Sequence, residues 1–178
     1  MSRLALRSPA AVAWRQDLER YGPGALHLEP TVYAVGAFRL AQWAAGRDGH
    51  RILRPLTRAL CRIVGTAVGV ELPPEARIGP GLRIHHGGAV VVHSRVVIGA
   101  DCTLRQGVTL GERRADGPVP VLGDGVDVGA HAQVLGGIQV GEGARIGALA
   151  LVMEDVPARG VARAPRALVE PARTSSGP

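Results

Sequence analysis

Along the second half of the chain an aliphatic residue returns at every sixth position. The series runs Leu72, Ile78 and Ile84, resumes two residues late at Val92, and continues through Ile98, Leu104 and Leu110. After a step of twelve it goes on through Leu122, Val128, Val134, Val140, Ile146 and Val152. Glycine often follows, as at Gly79, Gly99, Gly111, Gly123, Gly129, Gly141 and Gly147. Four residues after each aliphatic stands a small or aliphatic side chain, such as Ala76, Cys102, Ala132, Ala144 or Ala150. A period of six fits neither a helix nor an alternating strand. It fits short strands joined by tight turns, three to a coil of a triangular prism, with the aliphatic inward and glycine relieving the turn. Such coils are stable only when stacked, so the pattern predicts a mainly β solenoid.

Two interruptions break the register. The first holds His85 and His86, between Ile84 and Val92; the second is Gly-Glu-Arg-Arg-Ala-Asp-Gly-Pro-Val-Pro between Leu110 and Leu122. Departures from a solenoid repeat fall on loops and often mark the binding face. Before the repeats, Ala11 to Arg20 and Pro30 to Ala45 read as helices, broken by Tyr-Gly-Pro-Gly at 21–24. A third is predicted from Arg51 to about Val64, with Ile52, Leu53, Leu56, Leu60 and Ile63 near helical spacing. Its expected role is to cap the first coil. The organisation is therefore 1–69 helical, 70–158 β-helix and 159–178 tail, with 171–178 expected to be disordered.

Composition narrows the partners. Apolar residues are 46% of the 178 but aromatics only 3%, so the core is aliphatic. All 21 basic residues are arginine, giving a net charge of +6 and a pI near 10.8. They are scattered and lack an aromatic stacking platform, which argues against nucleic acid. An anionic cofactor suits the charge. Cys61 and Cys102 have no metal or disulfide spacing and read as free thiols of a reducing cytoplasm. No stretch has the length of a signal peptide core or a membrane span.

Among candidate chemical groups His86 leads, because imidazole titrates near neutrality and can take a proton from a hydroxyl. Glu71, fifteen residues upstream, is an acid able to orient the ring. His85 shares the loop, and the residues alone do not choose between the two histidines.

Residues 70–156 resemble the catalytic half of the serine O-acetyltransferase family of hexapeptide-repeat enzymes, in a shortened form. The resemblance is carried by Ile-Gly-Pro-Gly-Leu-Arg-Ile-His-His-Gly-Gly (78–88), Val-Ile-Gly-Ala-Asp-Cys-Thr-Leu-Arg-Gln-Gly-Val-Thr-Leu-Gly (97–111) and Val-Leu-Gly-Asp-Gly-Val-Asp-Val-Gly-Ala (121–130). Val-Leu-Gly-Gly-Ile-Gln-Val-Gly-Glu-Gly-Ala-Arg-Ile-Gly-Ala (134–148) and Asp-Val-Pro (155–157) continue it. It implies a left-handed parallel β-helix with an N-terminal helical cap, and acetyl-CoA as co-substrate. The catalytic histidine then falls on His86 and its partner carboxylate on Glu71, where many members have aspartate. His85 and Gly88 fall on the acceptor side. Gly111, Ala130 and Ala148 match small positions along the pantetheine arm, and Arg163 and Arg166 are candidates for the CoA phosphates. Direct transfer to a hydroxyl acceptor is implied, with no acetyl-enzyme.

The acceptor side departs from the family. Its aspartate before the catalytic histidine is His85 here, its loop arginine and histidine align with Pro118 and Val119, and an N-terminal aspartate aligns with Gly22. The expected acceptor is serine or a serine-like metabolite, with a saccharide hydroxyl as the alternative. Two further readings are a zinc enzyme of the carbonic-anhydrase type using His86, His93 and His131, and a scaffold without catalysis. The zinc reading is weakened by the absence of a five-residue histidine spacing. The resemblance also implies a homotrimer, with a hexamer as the alternative, in which the Glu112–Val119 loop reaches an adjacent chain.

Overall fold

A computed structural model describes residues 9–24, 26, 29–46 and 51–166. The predicted tail at 171–178 lies outside them. Helix α1 spans Pro9–Tyr21 and opens on a proline, whose missing N–H is no loss at a helix start. Helix α2 spans Thr31–Ala45. A single 3₁₀ turn, Arg51–Leu53, leads into helix α3, Arg54–Val68. That helix ends on Gly69, whose φ of 68° lets its N–H close back on the carbonyls of Gly65 and Thr66.

Strands of two or three residues follow: β1 (Val70–Glu71), β2 (Arg77–Ile78), β3 (Arg83–His85), β4 (Val90–Val92), β5 (Val97–Ile98), β6 (Thr103–Arg105), β7 (Thr109–Gly111), β8 (Val121–Leu122), β9 (Asp127–Val128), β10 (Gln133–Leu135), β11 (Gln139–Val140), β12 (Arg145–Ile146), β13 (Leu151–Val152) and β14 (Val161–Ala162). They form three parallel sheets. The first has the order β1-β4-β7-β10-β13, the second β11-β8-β5-β2 and the third β14-β12-β9-β6-β3, where β7 is Thr109–Gly111 and β13 Leu151–Val152. Every third strand pairs in register, for example Ile84 with Leu104 and Leu104 with Val128. This is the predicted parallel β-helix. Each of the thirteen periodic aliphatics is buried, from Ile84, Leu104, Leu110, Val128 and Val134 at 0% exposure to Ile78 at 8%. Strand β14 extends the third sheet into residues that the sequence pattern assigns to the tail.

The first coil leaves one row of backbone polar groups without a preceding coil. Helices α1 and α2, not α3, supply most of their partners. Arg39 donates to Ile78 O at 2.8 Å and Gly79 O at 2.6 Å, Gln42 to Ala76 O at 3.1 Å, and Thr31 to Ile84 O at 2.7 Å. Asp17 Oδ1 accepts from Leu82 N–H at 2.8 Å and Tyr21 OH from Ile84 N–H at 3.0 Å. Unpaired buried backbone groups cost about 1–3 kcal/mol each, so the cap is a condition of the fold.

Helix α3 also packs against the first coil, with Cys61 Sγ 3.5 Å from Leu72 O, but not through its apolar residues. Ile52, Leu56 and Ile63 are 88%, 66% and 67% exposed. The buried face instead carries Thr57, Cys61 and Gly65. A Cβ on Gly65 would meet Val70 O at 2.4 Å, so small residues are what let this helix approach.

Candidate active site

The backbone around His86 explains its placement. Strand β3 turns Ile84 inward and leaves Arg83 and His85 half-buried. The two extra residues then form a bulge at the corner between the third and first sheets. His86 takes φ 60° and Ala89 φ 54°, left-handed values uncommon outside glycine, and Gly88 takes φ 111°. The bulge is pinned on both sides: Gly88 N–H donates to Val68 O at 3.1 Å, and Gly107 N–H to Gly88 O at 2.7 Å. A Cβ on Gly87 would stand 2.2 Å from Val68 O, so glycine lets the loop close on the end of α3. His86 is left exposed at the outer edge.

His85 sits in a different environment. Burial first, and Arg83 second, hold its pKa below the usual 6.5; Glu29 opposes, while Arg105 and His86 add to the lowering. The two imidazole rings are 6.4 Å apart and tilted by 50°. His85 is half-buried behind the corner while His86 is exposed at it, and that placement favours His86 for meeting an acceptor.

Glu71 projects outward from β1 between buried Val70 and Leu72. Among the described residues no hydrogen bond or ion pair joins Glu71 to His86. Glu71 lies on the wall of an open groove of about 840 Å³ between α3 and the first coil.

The corner of His86 recurs coil by coil. His131 N–H donates to Gln106 O and Leu149 N–H to Ala130 O, both at 2.9 Å. His86, Gln106, Ala130 and Ala148 therefore follow one edge of the prism. Arg163 continues it, since a Cβ built on Gly147 would lie 3.5 Å from Arg163 Cα. Gly111 is not part of this column. It ends β7 on the far side of the first sheet, where Gly136 N–H donates to its carbonyl at 2.9 Å. Arg166 is exposed at the end of the described residues.

Gln106 is a residue that sequence reasoning did not single out. Its Oε1 is buried with no partner among the described residues, on the edge that carries His86. Its only sequence signal is its place in the Gln-Gly-Val-Thr-Leu-Gly run. The long loop, in turn, folds back on its own corner. Arg95 donates to Glu112 Oε2 at 3.0 Å and Gly117 O at 2.7 Å, and Pro118 lies over Gly137.

The three histidines of the zinc reading are dispersed. His86 and His131 lie on one edge of the prism, and His93 is across the first sheet, 3.8 Å from Glu112. Among the described residues no three His, Cys, Asp or Glu side chains gather as a metal site would require. Cys61 and Cys102 are free and buried, as expected, and burial pushes both thiols up to about 11.

No family model matches the chain. Individual relatives do. A serine acetyltransferase of Helicobacter pylori strain J99 is 42% identical over 134 residues, which are 74% of this chain and 76% of that protein. One from Synechococcus elongatus is 38% identical over 145 residues, 80% of this chain but only 58% of the relative. A solved serine acetyltransferase complex with CoA superposes with a TM-score of 0.77 at 27% identity, covering 90% of this chain and 70% of that one. With a relative this similar spanned over three quarters of its length, the chain belongs to the serine acetyltransferase family.

Proposed function

We propose that this protein transfers the acetyl group of acetyl-CoA directly to the hydroxyl of serine. The observation that carries the reading is the alignment, along one edge, of an exposed histidine held at φ 60° with the small residues Ala130 and Ala148. The named activity of the relatives and the CoA complex of a structural neighbour support it.

In this reading His86 takes the proton from the acceptor hydroxyl as its oxygen attacks the thioester carbon. The tetrahedral intermediate collapses, the C–S bond breaks, and the imidazolium returns its proton to the departing CoA sulfur. Glu71 is proposed to stabilise the imidazolium and select its tautomer, approaching His86 when the site is filled; catalytic contacts commonly tighten only on binding. Ala130 and Ala148 leave room for the pantetheine arm, and Arg163 and Arg166 meet the phosphates. Gly88 and Gly111 keep their proposed ligand roles on the acceptor-facing and CoA-facing surfaces of a multi-chain site. The buried thiols are poor nucleophiles at these raised values, consistent with direct transfer.

Turnover is measured as thiol release from acetyl-CoA with L-serine. Removing a general base typically costs about 10²–10⁴-fold, so His86→Ala is expected to fold normally and lose activity to that extent. A variant that kept most of its rate would sink the assignment. One observation favours a second acceptor. Gly22, His85, Pro118 and Val119 lack the charges that the family places there, so a saccharide hydroxyl is the alternative. Turnover with sugars and none with serine would select it.

We further propose a homotrimer with residues 70–158 as its catalytic unit, located in the cytoplasm. Exposed apolar residues late in the solenoid, Leu149 at 71% and Leu151 at 57%, support self-association. Light scattering is expected to return three times the chain mass; a monomer at micromolar concentration would overturn the assembly. Among the described residues no helix is long and apolar enough to cross a membrane.

A further inference from the structure

Successive coils turn the edge of His86 through the same left-handed backbone position. Ala89, Gly107, His131 and Leu149 take φ of 54°, 71°, 58° and 62° there. Backbone bonds hold them in register: Gly107 N–H donates to Gly88 O at 2.7 Å, and His131 N–H to Gln106 O and Leu149 N–H to Ala130 O, both at 2.9 Å. Of these residues only His131 has a side chain able to exchange a hydrogen bond. Histidine enters the left-handed region more readily than most residues, so the turn accounts for its backbone. It does not account for where the ring goes.

The ring lies back over the preceding coil, toward His86. A Cβ built on Gly107 would stand 2.1 Å from His131 Nδ1, 2.6 Å from Cε1 and 2.7 Å from Cγ. The imidazole thus fills the space that glycine leaves, with its Nδ1 edge on Gly107 and its Nε2 edge turned away from it. His131 is exposed, and its ring has no hydrogen-bond or ion-pair partner among the described residues. The backbone beneath the ring is the one that pins the His86 bulge, through the bond from Gly107 N–H to Gly88 O. Ala130, proposed above to leave room for the pantetheine arm, is the residue before it in the chain.

The spacing suits an acyl thioester with an amide in its arm. Paired strands lie about 4.8 Å apart, so a ring laid over Gly107 stands about one coil from the level of His86. In acetyl-CoA the thioester carbon and the first amide nitrogen are four bonds apart, about 5 Å when extended. A thioester held at His86, with its arm running toward Ala130, brings that amide to the ring. We infer that His131 binds the acyl donor, its Nε2 hydrogen-bonding the pantetheine amide nearest the thioester and so anchoring the arm beside His86. An imidazole nitrogen can donate to the amide oxygen or accept from its N–H. The inference rests on the acyl-transfer reading above and adds to it a residue that grips the donor.

The test gives the intact chain acetyl-CoA, S-acetyl-N-acetylcysteamine, which keeps the first amide and little more, and S-propyl thioacetate, which has no amide. Glycine suits a φ of 58°, so His131→Gly is expected to fold and to melt no lower than the wild type. Losing a hydrogen bond between uncharged partners corresponds to about fivefold, so His131→Gly is expected to raise KM for acetyl-CoA by that factor. kcat/KM for the cysteamine thioester falls equally. kcat with acetyl-CoA, KM for L-serine and the rate with S-propyl thioacetate stay unchanged, as removal of a uniform binding contact requires. His131→Asn, which tolerates a left-handed φ and keeps a donor and an acceptor, recovers part of the loss. An unchanged or lower KM for acetyl-CoA would overturn the inference. An equal loss on S-propyl thioacetate would overturn it too, leaving His131 a structural part of the edge. If the wild-type chain transferred acetyl to no acceptor, equilibrium dialysis of labelled CoA would still decide. CoA held more weakly by His131→Gly than by the wild type supports the contact while the transfer reading fails; equal binding, or none by either, removes it.

Discussion

Two adjacent histidines of identical chemistry are separated by one peptide bond and a change of backbone region. His85 ends a strand and is half-buried, whereas His86 takes the left-handed conformation and is exposed. The difference bears on pH. Because His85 has its folded pKa lowered, mainly by burial, the unfolded chain binds a proton there more readily. The neutral folded form is favoured above the ordinary value of 6.5, and stability falls as pH drops through 6.5 toward the lowered folded pKa. Below both values the penalty is constant. Urea midpoints at pH 7.5 and 5.5 are expected to drop more for the wild type than for His85→Gln. Equal drops would show that the burial of His85 does not set this dependence.

At the scale of elements, what was legible in the sequence was what is local. The aliphatic at each sixth position is a property of one coil and its neighbour, and Leu72 through Val152 are buried as the spacing requires. The His86 bulge was legible for the same reason: two surplus residues in a strict repeat have nowhere to go but outward. The helical cap was legible as helices, but the contacts by which it closes the first coil were not. Its contacts join residues far apart, Arg39 to Ile78 O and Asp17 to Leu82 N–H, and no local spacing announces them. The packing of α3 was not legible for a related reason. Helical spacing identifies a face but not which neighbour it meets, and here Gly65 and Cys61 make the close approach while Ile52 and Ile63 stay outside. The candidate site shows both limits. Ala130 and Ala148 share the edge of His86, but Gly111, chosen by the same kind of match, lies across the first sheet.

For the whole molecule, the question is whether cap and solenoid are one cooperative unit. Residues from α1 and α2, including Tyr21, Val35 and Phe38, belong to the same buried cluster as the solenoid aliphatics. The join is also electrostatic. Asp17, 0% exposed, takes Arg39 Nε at 2.7 Å while also accepting from Leu82 N–H, and Arg39 goes on to the carbonyls of the first coil. Removing one partner of a buried pair leaves an uncompensated charge and costs about 3–5 kcal/mol, so Asp17→Ala is expected to destabilise the chain by that amount. The chain's two tryptophans, Trp14 and Trp43, both lie in the helical cap. Tryptophan fluorescence therefore follows the cap, and circular dichroism near 218 nm follows mostly the strands. If cap and solenoid unfold together, the two urea transitions coincide in the wild type and move down together in Asp17→Ala. A fluorescence transition that moved alone, with the strand signal left in place, would make the helical segment a separable lid. The open edge of the first coil would then have to find its partners in water, at the edge where a second solenoid could stack.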